Sequence, residues 1–340
     1  MDSVTSTEFG APMAELACSS GIVPEGVLNG AEPVVLRGLV AHWPIVHAAN
    51  ESNRAAVDYL TRFYNGKPVN AFLATPEANG RIFYNETVDG FNFAQSQVYL
   101  DDALNKIIDV ADQPNQPTYY VGSLEIPQHL PGFDAENALD LGQTSVREGI
   151  WLGNQSVVAP HFDFPDNIAC CIIGERTFTL FPPEQQANLY VGPLDFTPAG
   201  QPISMVDMNN PDLDRFPRFA EAMNAAITVT LKPGDAIFVP SMWWHSVASK
   251  SALNGLVNYW WRSTPAYLGV PTNALLHAIL SIKYLPKEQR EAWQALFNHY
   301  VFEQPDDMYD HLPAPVKQKQ NQMSELTARK LKALLSSKLK

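Results

Sequence analysis

Long apolar runs are missing from this sequence. The longest, such as Ile168–Ile173 and Val257–Trp261, are strand-sized, whereas a membrane-spanning helix needs about 20 apolar residues. No membrane partner is therefore expected. Cysteine is scarce: Cys18, Cys170 and Cys171 are the full set. The count is odd, and two neighbours in a strand point to opposite faces, so no disulfide framework is readable. That points to a reducing compartment, and a cytoplasmic location is expected. Met1-Asp2-Ser3-Val4 brings no basic stretch followed by an apolar one, so no secretory leader is expected there. Positive charge is short, with 23 Lys and Arg against 36 Asp and Glu and a net charge of −13. This argues against nucleic acid as a general partner. Internal repeats and low-complexity tracts are also absent.

What is present is a globular composition, 46% hydrophobic and 17% charged over 340 residues, enough for one large domain or two modest ones. The charge is uneven. Lys317–Lys340 carries seven basic residues against Glu325, a net +6. Such a tail is either a solvated helix face or a segment that packs on the acidic body of the same or a second subunit. Pro33–Arg37 reads as a strand. Ala55, Ala56, Tyr59, Leu60 and Phe63 keep helical spacing behind Ser52 as N-cap, and Asp101–Val110 reads as a second helix. From Thr118 the pattern turns to strands: Thr118–Val121, Gly149–Leu152, Ile168–Ile173, Thr177–Phe181, Ala226–Leu231, Ala236–Val239, His245–Ala248 and Gly255–Trp261. Gly174-Glu175 and Pro233-Gly234-Asp235 mark tight turns. Many short strands with turn signals predict a mainly β jelly roll, a double-stranded β-helix with helical N- and C-terminal additions. The Pro-rich stretch Pro182–Ala225 is a long insertion, of the kind that packs over a barrel mouth. After Thr264 three apolar stripes at helical spacing follow, around Leu276 and Ile279, Trp293 and Phe297, and Leu331 and Leu335. The division expected is an α/β extension over 1–117, the β-helix core over 118–264 and a helical dimerisation region over 265–340.

One triplet carries chemistry. In His161-Phe162-Asp163, residues two apart on a strand face one side, so both side chains can address one ion. Farther on, a tight turn, the short strand Ala236–Val239 and a bend at Pro240 deliver Trp243-Trp244-His245. Two imidazoles and one carboxylate on one face leave coordination positions open, the facial arrangement of non-haem Fe(II) oxygenases. His161, Asp163 and His245 are thus the candidate metal ligands and catalytic residues.

The stretch Gly149–Arg262 resembles the jumonji C family of cupin-like oxygenases. Within it the likeness is to the branch containing the asparaginyl hydroxylase that inhibits hypoxia-inducible factor, and its bacterial relatives. The matching segments are Pro160-His161-Phe162-Asp163, Asn167, Ile173-Gly174-Glu175-Arg176, Leu180-Phe181-Pro182-Pro183, Asn210-Pro211-Asp212, Arg215-Phe216-Pro217, Pro233-Gly234-Asp235, Trp243-Trp244-His245 and Val257-Asn258-Tyr259-Trp260. Pro33–Gly38 with Trp43-Pro44 matches the family's N-terminal strand and loop. The resemblance implies Fe(II) as cofactor and 2-oxoglutarate as co-substrate, held on iron by its C1 carboxylate and keto oxygen. It also implies a cation for the distal carboxylate, and here that position is Arg176. The asparaginyl hydroxylase branch has lysine there, but a guanidinium can take a carboxylate through two hydrogen bonds, and Ala169 leaves it room. Val158 stands where the branch has a threonine, so one hydroxyl contact is lost. Tyr120 matches a tyrosine contact to the distal carboxylate. Asn167 and Asn258 match polar residues near the metal and the C1 carboxylate, and Trp260 shares the parity of Asn258 as a wall.

The function implied is hydroxylation of a C–H bond in a protein side chain or small molecule, with release of succinate and CO₂. No aromatic cage for methyl-lysine is readable. The resemblance further implies a homodimer through the C-terminal helices. Two alternatives stay open, a cupin-type metalloenzyme that does not use 2-oxoglutarate and a non-enzymatic binding module.

Overall fold

The computed structural model describes residues 11–18, 21–111, 113, 115–143, 145–321 and 323–339. The chain divides into two compact units, residues 1–261 and 262–340. In the first unit the strands are β1 (Ala11–Pro12), β2 (Ala14–Ala17), β3 (Val34–Arg37), β4 (Val69–Ala74), β5 (Arg81–Ile82), β6 (Phe93–Val98), β7 (Thr118–Glu125) and β8 (Arg147–Gly153). They continue with β9 (Ser156–Phe162), β10 (Asp166–Ile173), β11 (Arg176–Phe181), β12 (Ile227–Leu231), β13 (Ala236–Val239), β14 (Trp244–Ser249) and β15 (Asn254–Trp261). They form a six-stranded sheet, β1-β12-β11-β14-β9-β5, and a nine-stranded sheet, β2-β3-β13-β10-β15-β8-β7-β4-β6. The two inner faces close on each other as the jelly roll that the strand pattern predicts.

Strand alternation divides the core. Val35, Ala169, Cys171, Ile237 and Leu256 point inward from the large sheet and meet Phe178, Leu180, Val229, Leu231 and Val247 from the small one. The residues between them, Leu36, Ile168, Cys170, Val257 and Tyr259, point outward into a second core with the flanking helices. Those helices include Pro44–Glu51, Asn53–Thr61 and Leu100–Val110. Ser52 caps the second, its side chain accepting from the Ala55 N–H at 3.1 Å. Cys170 and Cys171 thus lie in different cores and are both free thiols.

Six strands, β1, β2, β4, β5, β6 and β9, have no counterpart among the expected ones. The triplet His161-Phe162-Asp163 reads as strand, but β9 as a whole is not among the expected strands, and its Pro160 has to be accommodated. The structure seats Pro160 where the β9–β14 register shifts between His245 and Val247, and its carbonyl accepts from the Ser204 N–H of the insertion at 2.8 Å. A bulge tolerates proline because no ladder N–H is required there. β4 and β6 extend the large sheet from within the α/β extension expected over 1–117, and β6 is largely exposed.

The insertion is structured. It opens on a 3₁₀ turn, Pro183–Asn188, and ends on the helix Phe219–Ala225. Leu189, Val206, Phe219 and Ala222 build a core of their own with Phe181 and Trp244.

The second unit carries the helices Pro271–Ser281, Lys287–Phe297, Ala314–Asn321 and Glu325–Lys338, with a π-helical turn at Asn298–Glu303. The first, second and fourth correspond to the three apolar stripes. Among the described residues of the whole chain, no helix is long and apolar enough to cross a membrane.

Candidate functional site

β9 and β14 are neighbours in the small sheet, and their register sets His161 directly opposite His245. The two imidazole centroids are 4.3 Å apart. Asp163 follows β9 by one residue, and its Oδ2 lies 4.0 Å from His245 Nε2. The three side chains of the H-x-D triplet and the distant histidine therefore meet at one end of the barrel. No group of three or more His, Cys, Asp or Glu side chains forms a ready-made metal cluster among the described residues; these three stand as neighbours at the separations just given.

Their orientation is held by backbone and side-chain partners. His161 Nδ1 lies 3.0 Å from the Ala159 carbonyl, and His245 Nδ1 lies 3.0 Å from the Trp243 carbonyl. A carbonyl can only accept, so Nδ1 donates in both rings, and the neutral form of each ring keeps its Nε2 lone pair for an ion. Burial and the neighbouring His161 push the His245 pKa down to about 4, against the pull of Asp163. The ring is therefore neutral near pH 7, the form that binds metal, and its approach to Asp163 is proximity rather than an ion pair. The Asp163 carboxylate is held at both oxygens. Trp260 Nε1 donates to Oδ2 at 3.0 Å, and Gln201 Nε2 donates to Oδ1 at 3.2 Å. The turn after β13 is tied to the same corner, since the Met242 N–H donates to the Asp163 carbonyl at 2.9 Å and Ser241 binds Phe164 and Asp166. Met242 takes a left-handed φ of 70° there, a strain of order 1 kcal/mol or more that packing has to offset.

The inner wall is aromatic and rests on two glycines. Trp151 and Trp260 meet edge to face at 6.3 Å, and Tyr120 tilts against Trp151 at 5.8 Å. A Cβ on Gly149 would lie 2.8 Å from the Trp260 ring, and one on Gly122 would lie 2.8 Å from the Trp151 ring. Any side chain at either position would displace an indole.

Arg176 opens β11 and is 3% exposed. Its Nη2 donates to the Trp151 carbonyl across the barrel at 3.4 Å, while Nε has no partner. Among the described residues no carboxylate pairs with it within 4.0 Å. Burial holds its pKa below the usual arginine value. Tyr120 is buried beside this cation, and burial pushes its pKa up to about 12. Asn258 and Asn167 form a buried pair, Nδ2 to Oδ1 at 2.8 Å, which leaves Asn258 Oδ1 without a partner. All seven candidate residues thus belong to one barrel interior, the metal-type donors at its mouth and Arg176 with Tyr120 deeper in. The donor chemistry, two oriented imidazoles and a braced carboxylate, suits a divalent first-row ion. The unpaired buried guanidinium suits an anion. Gln201 has no counterpart among the expected residues. It lies in a Pro-rich stretch with no motif around it, and the sole signal was the length of the insertion.

Comparison with known proteins agrees with this architecture. The family model for the cupin-like domain matches residues 22–267. HSPB1-associated protein 1 of Homo sapiens is 27% identical over 255 residues, 69% of this chain and 49% of that protein. Lysine-specific demethylase JMJ31 of Arabidopsis thaliana is 34% identical over 258 residues, 68% of this chain and 46% of that protein. The HSPB1-associated protein 1 homolog of Danio rerio is 36% identical over 249 residues, 67% of this chain and 51% of that protein. The chain spans about half the length of these curated relatives. With the matched region covering β3 to β15 and both histidine strands, the chain belongs to the cupin-like, jumonji C-type domain family.

Proposed function

We propose that this chain is an Fe(II)- and 2-oxoglutarate-dependent oxygenase that hydroxylates a C–H bond of a protein side chain or a small molecule. The observation that carries the reading is Arg176. A guanidinium taken out of water without a carboxylate costs several kcal/mol, and this one faces the same interior as His161, Asp163 and His245. A dicarboxylate that chelates an ion at the mouth and sends its far carboxylate inward uses both features at once.

His161, Asp163 and His245 would hold the iron through both Nε2 atoms and a carboxylate oxygen. Bound iron, with 2-oxoglutarate and O₂, supplies the oxidising chemistry and yields succinate and CO₂. Trp260 and Gln201 keep the Asp163 carboxylate turned to the ligand face. Arg176 would receive the distal carboxylate, with Tyr120 beside it. Asn258, backed by Asn167, offers polar atoms toward the C1 carboxylate. Trp151, Trp260 and Tyr120 exclude water, which strengthens each of these contacts.

The test is succinate release from 2-oxoglutarate by the full chain, first alone and then with substrate pools. Release that requires Fe(II) and O₂ together supports the reading. Metal binding without 2-oxoglutarate turnover would instead favour a cupin-type metalloenzyme of another kind. The name of the Arabidopsis relative, a lysine-specific demethylase, favours one further substrate class. Removing an N-methyl group from lysine begins with hydroxylation of that methyl carbon, so methylated lysine peptides belong in the pools beside unmodified protein and small molecules.

We also propose that the chain is a homodimer through its C-terminal helices. Leu280, Tyr284 and Phe302 are 73%, 83% and 70% exposed, and Ala328 is the one buried residue of the second unit among those described. Short helices are marginal unless an apolar face is packed, and a two-fold pairing would bury the same stripe on both copies. Light scattering of the full chain at micromolar concentration should give twice the chain mass, and Leu280→Asp should return it to a monomer. A monomeric wild type would refute the dimer.

A further inference from the structure

We propose that Ser249 is a second contact for the distal carboxylate of the co-substrate, working beside Arg176 and replacing the hydroxyl that Val158 cannot offer. The inference rests on the oxygenase reading above and assigns a residue to it that no motif marks.

The geometry begins with register. Arg176 and Ser249 are directly opposed on β11 and β14. Residues so placed have Cβ atoms about 5 Å apart and share a face. The next pairs in the same column, Phe178 with Val247 and Leu180 with His245, point into the barrel. Alternation by two therefore turns Arg176 and Ser249 inward as well, and His245 lies on the same face of the same strand as Ser249. Both residues are 3% exposed.

Their polar atoms are unspent. Arg176 Nε and Ser249 Oγ are buried and have no hydrogen-bond partner. A lone buried hydroxyl costs about 1–3 kcal/mol and a buried cation more, so two such atoms on directly opposed residues would both be served by a common acceptor. A carboxylate meets the need, because it accepts from a guanidinium N–H through one oxygen and from a hydroxyl through the other. Tyr120, beside Arg176, and Ser156, the buried residue directly opposite Ser249 on β9, complete the polar lining of this layer. Val158 pairs with Val247 on the β9 side, and Ser246 Oγ is already committed to the Val158 carbonyl at 2.8 Å. The hydroxyl that the resemblance implies at the position of Val158 would here be supplied one inward pair deeper, opposite Arg176.

The test uses the full chain loaded with Mn(II) and calorimetric titration of two ligands, 2-oxoglutarate and pyruvate, which lacks the distal carboxylate. Ser249→Ala should weaken 2-oxoglutarate by about tenfold, as for one lost hydrogen bond to a charged group, with pyruvate affinity unchanged. Ser249→Thr, which keeps the hydroxyl, should bind 2-oxoglutarate as the wild type does. Adding Val158→Thr to Ser249→Ala should recover the lost affinity. Equal 2-oxoglutarate binding by Ser249→Ala and wild type would overturn the proposal, as would an equal loss for both ligands, which would indicate a damaged metal site. If the Mn(II)-loaded wild type takes up neither ligand, the oxygenase reading falls and this inference falls with it.

Discussion

Replacing His161 or His245 with alanine should abolish both divalent-metal binding and 2-oxoglutarate turnover. Each ring presents a free Nε2 because its Nδ1 proton is given to the carbonyl two residues earlier. That local ring-to-backbone bond makes the donor direction a property of the strand, so no neighbouring side chain can substitute for a lost imidazole. With one nitrogen gone, a single imidazole and a carboxylate remain, and the site loses its facial geometry. Cobalt(II) titration followed in the visible range reads the binding directly, and succinate release reads the turnover. Retention of the wild-type cobalt spectrum and full turnover by either variant would remove that histidine from the site. His161 is the cleaner test. It is half-buried, whereas His245 is buried against β11 and its removal opens a cavity as well.

The second large effect is at Arg176. Arg176→Ala should raise the Michaelis constant for 2-oxoglutarate by about two orders of magnitude, since a buried charge-assisted pair contributes roughly 3 kcal/mol and each 1.4 kcal/mol is a factor of ten. Metal affinity should hold, because the guanidinium touches none of the three candidate ligands. The same residue makes an opposite prediction for the free protein. With no carboxylate beside it, the buried cation opposes folding, so Arg176→Met should unfold at a higher temperature than wild type when neither ligand is present. Saturating 2-oxoglutarate should then stabilise the wild type and leave the variant unmoved. An unchanged Michaelis constant would mean that another cation receives the co-substrate.

The sequence by itself determined the parts whose signal is local. Alternation in Ile168–Ile173 and Val257–Trp261, the turns at Gly174 and Gly234, and the helical stripes after Thr264 are periodic or steric facts about neighbours in the chain. His161 and Asp163 were readable as partners because they lie two positions apart on a strand pattern, although Asp163 lies just past the end of β9. Tertiary structure alone decided what depends on pairing between distant segments. β9 contains Pro160 and reads as a poor strand until its bulge against β14 removes the need for an N–H. β6 is too polar to announce itself, and the two strands take their places because β7 offers β4 an edge and β4 in turn offers one to β6. Gln201 reaches Asp163 across 38 residues of chain. Trp260 reads equally as core aromatic or pocket wall, and only the packed barrel shows its N–H on the Asp163 carboxylate. Ser249 carries no signal in any window of sequence. Its meaning arises from the register that sets it against Arg176 in an interior where neither polar atom has another partner.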